Sequence, residues 1–389
     1  MQNIVEALPK SSSLKILYLI PDTKVGGAQR NLVHAANTIG RIHTVRMVVL
    51  KKTGPLDKEI DRNVVTRVIL GMRSWHDLRS LVRLSRIVKS FEPDVVHSQL
   101  FLANTIARAM KATRQYRGAV IAGERTADFS PPWKSPLLRW LCAFLDKLLY
   151  RFSDVILTNN DQLPVNFGRR GYDIARIAVV RNGIDTSCYT PPVPSVDGAI
   201  ATICFCGRLE KAKNLSYALA EFATLHQNYH TTRFRLIGGG SQMSELKNQA
   251  RELGIEERVV FEGEMEPWRA LEAIKDAAIC ILPSIYEGLS NSLLEYGALA
   301  KPVVVSDIPG NRLVVKDERY GYLFDLNRPG AIEQKIAEAL NDYAEALRKG
   351  ASLRKRVTQE FSVHRMCQAT EQIYREVSRR KVKKPECLA

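Results

Sequence analysis

An α/β protein with two parallel-sheet domains is what this sequence predicts, on three observations. Short apolar runs alternate with stretches of helical periodicity, the pattern of a parallel sheet and its crossover helices. The 389 residues are too many for one ordinary core and enough for two. Residues 189–198, YTPPVPSVDG, are Pro-rich and lack apolar pattern, which places a boundary there. The expected domains are 1–190 and 191–360, followed by a last long helix and basic tail over 361–389.

Composition narrows the class. Apolar content of 45% and charged content of 25% are those of a soluble globular protein. The net charge of +16 is uneven: residues 1–190 hold 29 Lys and Arg against 15 Asp and Glu, giving +14, and residues 191–389 hold 28 against 26, giving +2. The first half is therefore expected to meet an anionic partner or surface. Nucleic acid is not the expected partner, because no basic sheet motif with interleaved aromatics is present. Seven cysteines form no C-x-x-C pair, which fits a reducing compartment, and Cys204 and Cys206 on one strand read as core filling. Residues 1–13 are polar, without the apolar segment of a signal peptide, and no run of about twenty apolar residues could span a bilayer. A cytoplasmic placement follows as the expectation.

In chain order, residues 14–20 read as a buried strand, followed by a loop and a helix over 28–39. Gly26 and Gly27 at that join let backbone N–H groups approach an anion, and they serve equally as a tight connection. Strands at 44–50 and 64–70, a helix at 75–91 and a strand at 94–97 continue the alternation. His97, expected to end its strand, would face the ligand side of the sheet, as a satisfied polar group or a catalytic one. A helix at 101–113 and a strand at 119–122 lead to Gly123-Glu124-Arg125. Residues 133–152 are the most amphipathic, with Leu137, Leu138, Leu141, Phe144, Leu145, Leu148 and Leu149 in one stripe and Lys134, Arg139, Lys147 and Arg151 around it. Such a helix packs on the sheet or lies on an anionic membrane. The helix at 75–90 adds a second basic face through Arg79, Arg83, Arg86 and Lys89. Strands at 155–158 and 177–180 precede Asn182-Gly183-Ile184-Asp185, a turn by its chemistry.

The second half opens with a strand at 201–206 and a loop carrying Arg208 and Lys213, followed by a helix to about 226. A strand at 234–237 runs into Gly238, Gly239 and Gly240. The third glycine of a G-x-G-x-x-G dinucleotide fingerprint would fall on Met243, so a nicotinamide dinucleotide site is not expected. A strand at 259–262 follows. Residues 278–282 then read as a buried strand broken at Pro283 and Ser284, with Glu287 and Gly288 in a turn and Ser290 or Asn291 capping a helix. Glu287 and Glu295 flank that helix start, which suits a ligand with hydroxyls at both ends and an anion between, such as a nucleotide sugar. Taken without context, the two are a solvated loop residue and a surface helix residue.

The context is Pro283-Ser284, Glu287-Gly288 and Leu294-Glu295, then Gly297, Lys301-Pro302-Val303-Val304, Ser306 and Gly310. This pattern resembles the signature of family 4 of the retaining glycosyltransferases, in which two Glu are separated by seven intervening residues. The resemblance implies two Rossmann-like domains facing a cleft, the GT-B architecture, with the last helix crossing back to the first domain. It implies transfer of a sugar from a UDP- or GDP-linked donor to a hydroxyl of a glycan or lipid-linked acceptor, as in bacterial envelope synthesis.

Site residues follow residue by residue. Glu287 positions the sugar, Glu295 holds the ribose, and the diphosphate lies over Gly288, Leu289, Ser290 and Asn291. Arg208 and Lys213 match the family's Gly-Arg-Leu and Lys segment and meet the diphosphate. Gly26 and Gly27 match its Gly-Gly loop, Gly238 and Gly239 touch the donor, and Glu264 and Met265 lie near the base. Many relatives carry a His after the strand at 119–122, where Glu124 and Arg125 stand here, so Arg125 and His97 are both candidates to touch the reacting sugar. No metal or other cofactor is expected, and no Asp-x-Asp motif is present. A nucleotide-sugar epimerase, a nucleic-acid binder and a non-catalytic scaffold are the rival classes.

Overall fold

A computed structural model of the chain describes residues 13–74, 76–125, 136–192 and 201–382. The polar start, Trp75, the Trp133 and Lys134 end of the amphipathic stretch, most of the Pro-rich stretch and the end of the basic tail lie outside them. Contacts divide the chain into one unit of residues 1–180 with 366–389 and a second of residues 181–365.

The first unit runs β1 (Lys15–Ile20), α1 (Gly27–Ile39), β2 (Thr44–Val49), β3 (Val65–Ile69), α2 (Leu78–Phe91), β4 (Val95–Gln99), α3 (Phe101–Ala112), β5 (Ala119–Gly123), α4 (Pro136–Leu149), β6 (Val155–Thr158), α5 (Gln162–Arg169) and β7 (Ile177–Val179). The second runs β8 (Ala201–Cys206), α6 (Leu215–Asn228), β9 (Thr232–Ile237), α7 (Met243–Glu252), β10 (Val259–Gly263), α8 (Pro267–Lys275), β11 (Ile279–Leu282), α9 (Asn291–Ala298), β12 (Val303–Ser306), α10 (Pro309–Arg312), β13 (Tyr322–Phe324), α11 (Ala331–Asn341) and α12 (Tyr343–Glu360). A last helix, α13 (Val363–Val382), returns the chain to the first unit from Met366 onward.

Both sheets are parallel, in the orders β3-β2-β1-β4-β5-β6-β7 and β10-β9-β8-β11-β12-β13. In each, the strand order reverses beside the first strand, which opens a crevice at the carboxyl ends of β1 and β4 and of β8 and β11. The strands read as continuous apolar runs because helices cover both faces. Period-two alternation sorts those faces in the first unit. Leu17, Leu19, Val96 and Val120 pack on α2 and α3, whereas Tyr18 and His97 turn to Tyr374 of α13. The second core is continuous from Ile203 and Phe205 to Leu353 and Val357.

Among the element boundaries that differ from expectation, two bear on residues discussed below. Helix α2 begins at Leu78, not near residue 75, because the Asp77 side chain accepts the Ser80 N–H at 3.2 Å and caps it. Strand β4 runs two residues beyond His97, to Gln99, in register with Gly123 of β5. Among the described residues no helix is long and apolar enough to cross a membrane.

Candidate functional site

In the second unit the site grows from the carboxyl end of β11. Ser290 caps α9 by accepting the Leu293 N–H, and Leu293, Leu294 and Ala298 bury the helix against the sheet. Tyr296 fixes the helix to β8, its hydroxyl accepting the Cys206 N–H at 2.7 Å. The helix N-terminus is thereby held beside the crevice, where its dipole favours an anion. The preceding loop carries Glu287, whose carboxylate accepts from the Lys213 ammonium and from the Ser284 hydroxyl at 2.7 Å. Behind it, the Ser306 hydroxyl donates to the Ser284 carbonyl at 2.6 Å, and the Asn311 amide donates to Ser306 at 3.0 Å. The carboxylate thus has a fixed orientation, because each member of the chain is held by the next.

The neighbouring loops interlock by backbone approach. Gly238 sits at φ +129°, and a Cβ there would lie 2.0 Å from the Gly207 carbonyl oxygen. Its N–H donates to Gly263 at 2.8 Å, and Leu209 donates to the Gly239 carbonyl at 2.8 Å. A Cβ on Gly239 would meet the Glu264 side chain at 2.9 Å. Gly207, Arg208, Gly238, Gly239 and Glu264 are therefore gathered at adjoining strand ends, while Met265 packs partly against the core. Arg208 is exposed, and hydrogen bonding together with its charge holds the nearby Glu210 carboxyl below its ordinary value. Glu295 is half-buried in the second turn of α9. Leu289 and Asn291 are tied to Asn182, whose amide donates to the Leu289 carbonyl at 3.1 Å and to Asn291 Oδ1 at 2.9 Å. Gly288 completes the loop between Glu287 and these anchors.

In the first unit, Gly26 precedes the first turn of α1 and Gly27 begins it, at the carboxyl end of β1. His97 is placed differently from the expectation that it would end its strand. It is buried within β4, Nδ1 shares a 2.5 Å hydrogen bond with the Tyr374 hydroxyl, and Nε2 has no partner. Burial, with the Arg125 charge close by, pushes it down to about 3, so the ring is neutral at ordinary pH. Arg125 is half-buried just beyond β5. Beside it, Glu124 accepts from the Asn104 amide at 2.9 Å and from Arg108 at 3.2 Å, and Arg108 also pairs with Asp146 at 2.5 Å. Burial raises Glu124 to about 7 against the pull of Arg108.

Sequence reasoning gave no supporting role to Ser284, Ser306, Asn311 or Asn182, although Ser284 and Ser306 stand in the motif and Asn182 in a turn read from its chemistry. Their signal was position, since Ser284 and Ser306 fall at the carboxyl ends of β11 and β12, where a parallel sheet places ligands. At the corresponding edge of the first unit, Gln99 is fully buried and neither atom of its amide is hydrogen-bonded. Leu100 follows at φ +72°, ψ 157°, a conformation that L residues adopt only under constraint.

Comparison with known proteins identifies the family and the fold. Residues 196–357 match the model described as glycosyl transferases group 1, and residues 25–187 match glycosyltransferase family 4. The glycogen synthase of Mycobacterium tuberculosis is 26% identical over 93% of this chain and 94% of its own. The alpha-maltose-1-phosphate synthase of Mycolicibacterium smegmatis is 32% identical over 64% of this chain and 70% of its own. An Escherichia coli UDP-Gal:alpha-D-GlcNAc-diphosphoundecaprenol alpha-1,3-galactosyltransferase is 25% identical over 81% and 85%. Among solved structures, Anabaena HepE in complex with UDP and glucose superposes with a TM-score of 0.78 at 17% identity, covering 93% of this chain and 100% of that one. Sucrose-phosphate synthase of Thermosynechococcus elongatus does so at 0.76 and 17%, covering 93% and 98%.

Proposed function

The chain belongs to glycosyltransferase family 4 with the GT-B fold, and from that premise we propose that it moves a hexose from a UDP- or GDP-linked donor to a hydroxyl of a glycan or lipid-linked acceptor, with retention, in bacterial envelope polysaccharide synthesis. It is a glycosyltransferase that uses a nucleotide sugar. The Lys213–Glu287 pair at the switch point of β8 and β11 carries the finer reading. A half-buried ammonium beside a carboxylate of fixed orientation sets a cation for the diphosphate next to an acceptor for sugar hydroxyls.

In this reading the bond between the anomeric carbon and the diphosphate breaks, and negative charge grows on the leaving group. Arg208, Lys213 and the α9 N-terminus stabilise that charge, the part a divalent metal would otherwise take. Glu287 positions the sugar and stabilises its oxocarbenium character, Glu295 holds the ribose, and the acceptor hydroxyl attacks the face the diphosphate leaves, its proton passing to the departing diphosphate oxygen. The E. coli relative, whose name specifies UDP-Gal and a diphosphoundecaprenol-linked acceptor, supports a UDP donor and a lipid-borne acceptor. The basic first half would then bring the enzyme to the anionic inner face of the cytoplasmic membrane.

A thermal-shift panel of UDP- and GDP-sugars identifies the donor, and NMR of the product with an added acceptor tests retention. The expected product keeps the donor's anomeric configuration. An inverted product overturns the stereochemical reading, and an epimerised donor with no transfer would assign an epimerase instead.

A further inference from the structure

Helix α4 is built inside out. Among its described side chains, Cys142, Asp146 and Leu149 are buried, and Asp146 ties the helix to the fold by an ion pair. Arg108 of α3 and the Tyr172 hydroxyl both donate to the Asp146 carboxylate at 2.5 Å. The outward side carries Leu137, Trp140, Leu141, Phe144, Leu145 and Leu148, each between 37% and 66% exposed. Their spacing of three and four residues makes one unbroken apolar stripe about 17 Å long. The Trp140 and Phe144 rings stack on it, 5.6 Å apart and 12° from parallel. A contiguous apolar surface of this kind marks an interaction site.

The charges beside the stripe indicate what covers it. Lys147 donates to the Arg170 carbonyl at 2.6 Å, and Arg176 donates to the Arg151 carbonyl at 3.0 Å. The chain after α5 is thus drawn to the end of α4, where Lys147, Arg151 and Arg169 are exposed. The acidic groups nearby are engaged: Asp146 with Arg108, Asp154 with Lys111, and Asp173 with Arg176. On the same face of the sheet, α2 exposes Arg79, Arg83, Arg86 and Lys89. A second copy of the chain would set one basic surface against another, whereas an anionic bilayer offers acyl chains to the stripe and headgroups to the cations.

We propose that the outward face of α4 inserts into an anionic lipid bilayer and docks the enzyme there. The proposal rests on the lipid-borne acceptor suggested above and names the element that reaches the membrane. The full chain should float with phosphatidylcholine vesicles containing phosphatidylglycerol. Trp140→Ser with Phe144→Ser should weaken that partition at least about 10-fold while solution hydrolysis of the donor sugar stays unchanged. Brominated lipid should quench the parent's tryptophan fluorescence more than that of Trp140→Phe, a readout that needs no polar substitution. Equal flotation of parent and double variant, or equal quenching of parent and Trp140→Phe, overturns the proposal. So does a parent dimer that the double variant converts to monomer, since a second copy would then own the face. Loss of flotation in a chain that never turns over a nucleotide sugar supports the docking face and removes the proposed reaction. Persistent flotation of the double variant in an active enzyme does the reverse.

Discussion

At the carboxyl edge of the second unit's sheet the polar side chains hold one another, Lys213 to Glu287, Glu287 to Ser284 and Asn311 to Ser306. One atom there, Asn311 Oδ1, is buried without a hydrogen-bond partner; at the same edge of the first unit's sheet the whole Gln99 amide and Asn159 Oδ1 are, as is His97 Nε2 within β4. An unsatisfied buried polar group costs about 1–3 kcal/mol. The second edge is therefore organised in advance around a fixed charge pair, while the first leaves more of its buried polar atoms without a partner. A ligand feature shared by every donor, such as a diphosphate, suits the former arrangement. Groups that differ between acceptors suit adaptable amides.

Four measurements would break or sharpen this contrast. The largest effect is expected at Glu287, where Glu287→Ala should lower turnover by at least about 10²–10³-fold with nucleotide affinity nearly unchanged; normal turnover would remove the residue from the chemistry. Lys213→Ala should weaken UDP or GDP binding by about 1.5–3 kcal/mol in calorimetry, the scale of a hydrogen bond to a charged group. At the first edge the sign reverses. Replacing an unsatisfied amide with an apolar side chain of similar shape, Gln99→Met, should stabilise the protein by about 1 kcal/mol in urea unfolding, and a loss of stability would mean that the amide is satisfied.

The smallest effect concerns pH. Glu124 is raised from 4.5 to about 7 by burial. Between those values the folded protein holds a proton that the unfolded chain has released. Its contribution to stability is therefore complete below about 4.5 and declines as pH rises through 7. Glu124→Gln should flatten that decline in unfolding midpoints measured across the window, and an unchanged slope would contradict the shift.

Much of the fold was legible because a strand covered on both faces must be apolar along its whole length, as at residues 14–20 and 201–206. The Glu287 loop was legible from motif spacing, and the Ser290 cap from local chemistry. What stayed hidden depends on partners distant in sequence. Tyr374, which bonds to His97, is 277 residues away, and no local pattern announces it. Helical periodicity revealed the stripe of α4 but not its direction, which is set by Arg108 holding Asp146 inward. Asp77 could have been read as a cap, yet the apolar and basic spacing extended the helix past it.

The two ends of the second unit lie side by side. Ile184 donates to the Phe361 carbonyl at 2.8 Å, Ile184 bridges Ser362, and a Cβ on Gly183 would collide with the Ser362 carbonyl at 2.7 Å. Residues 181–365 thus form an insert closed at its own neck, entered and left through one doorway. A gene fragment encoding that stretch should yield a self-sufficient folded module, whereas no single uninterrupted fragment can supply the other half, whose last helix arrives only after the insert has been made.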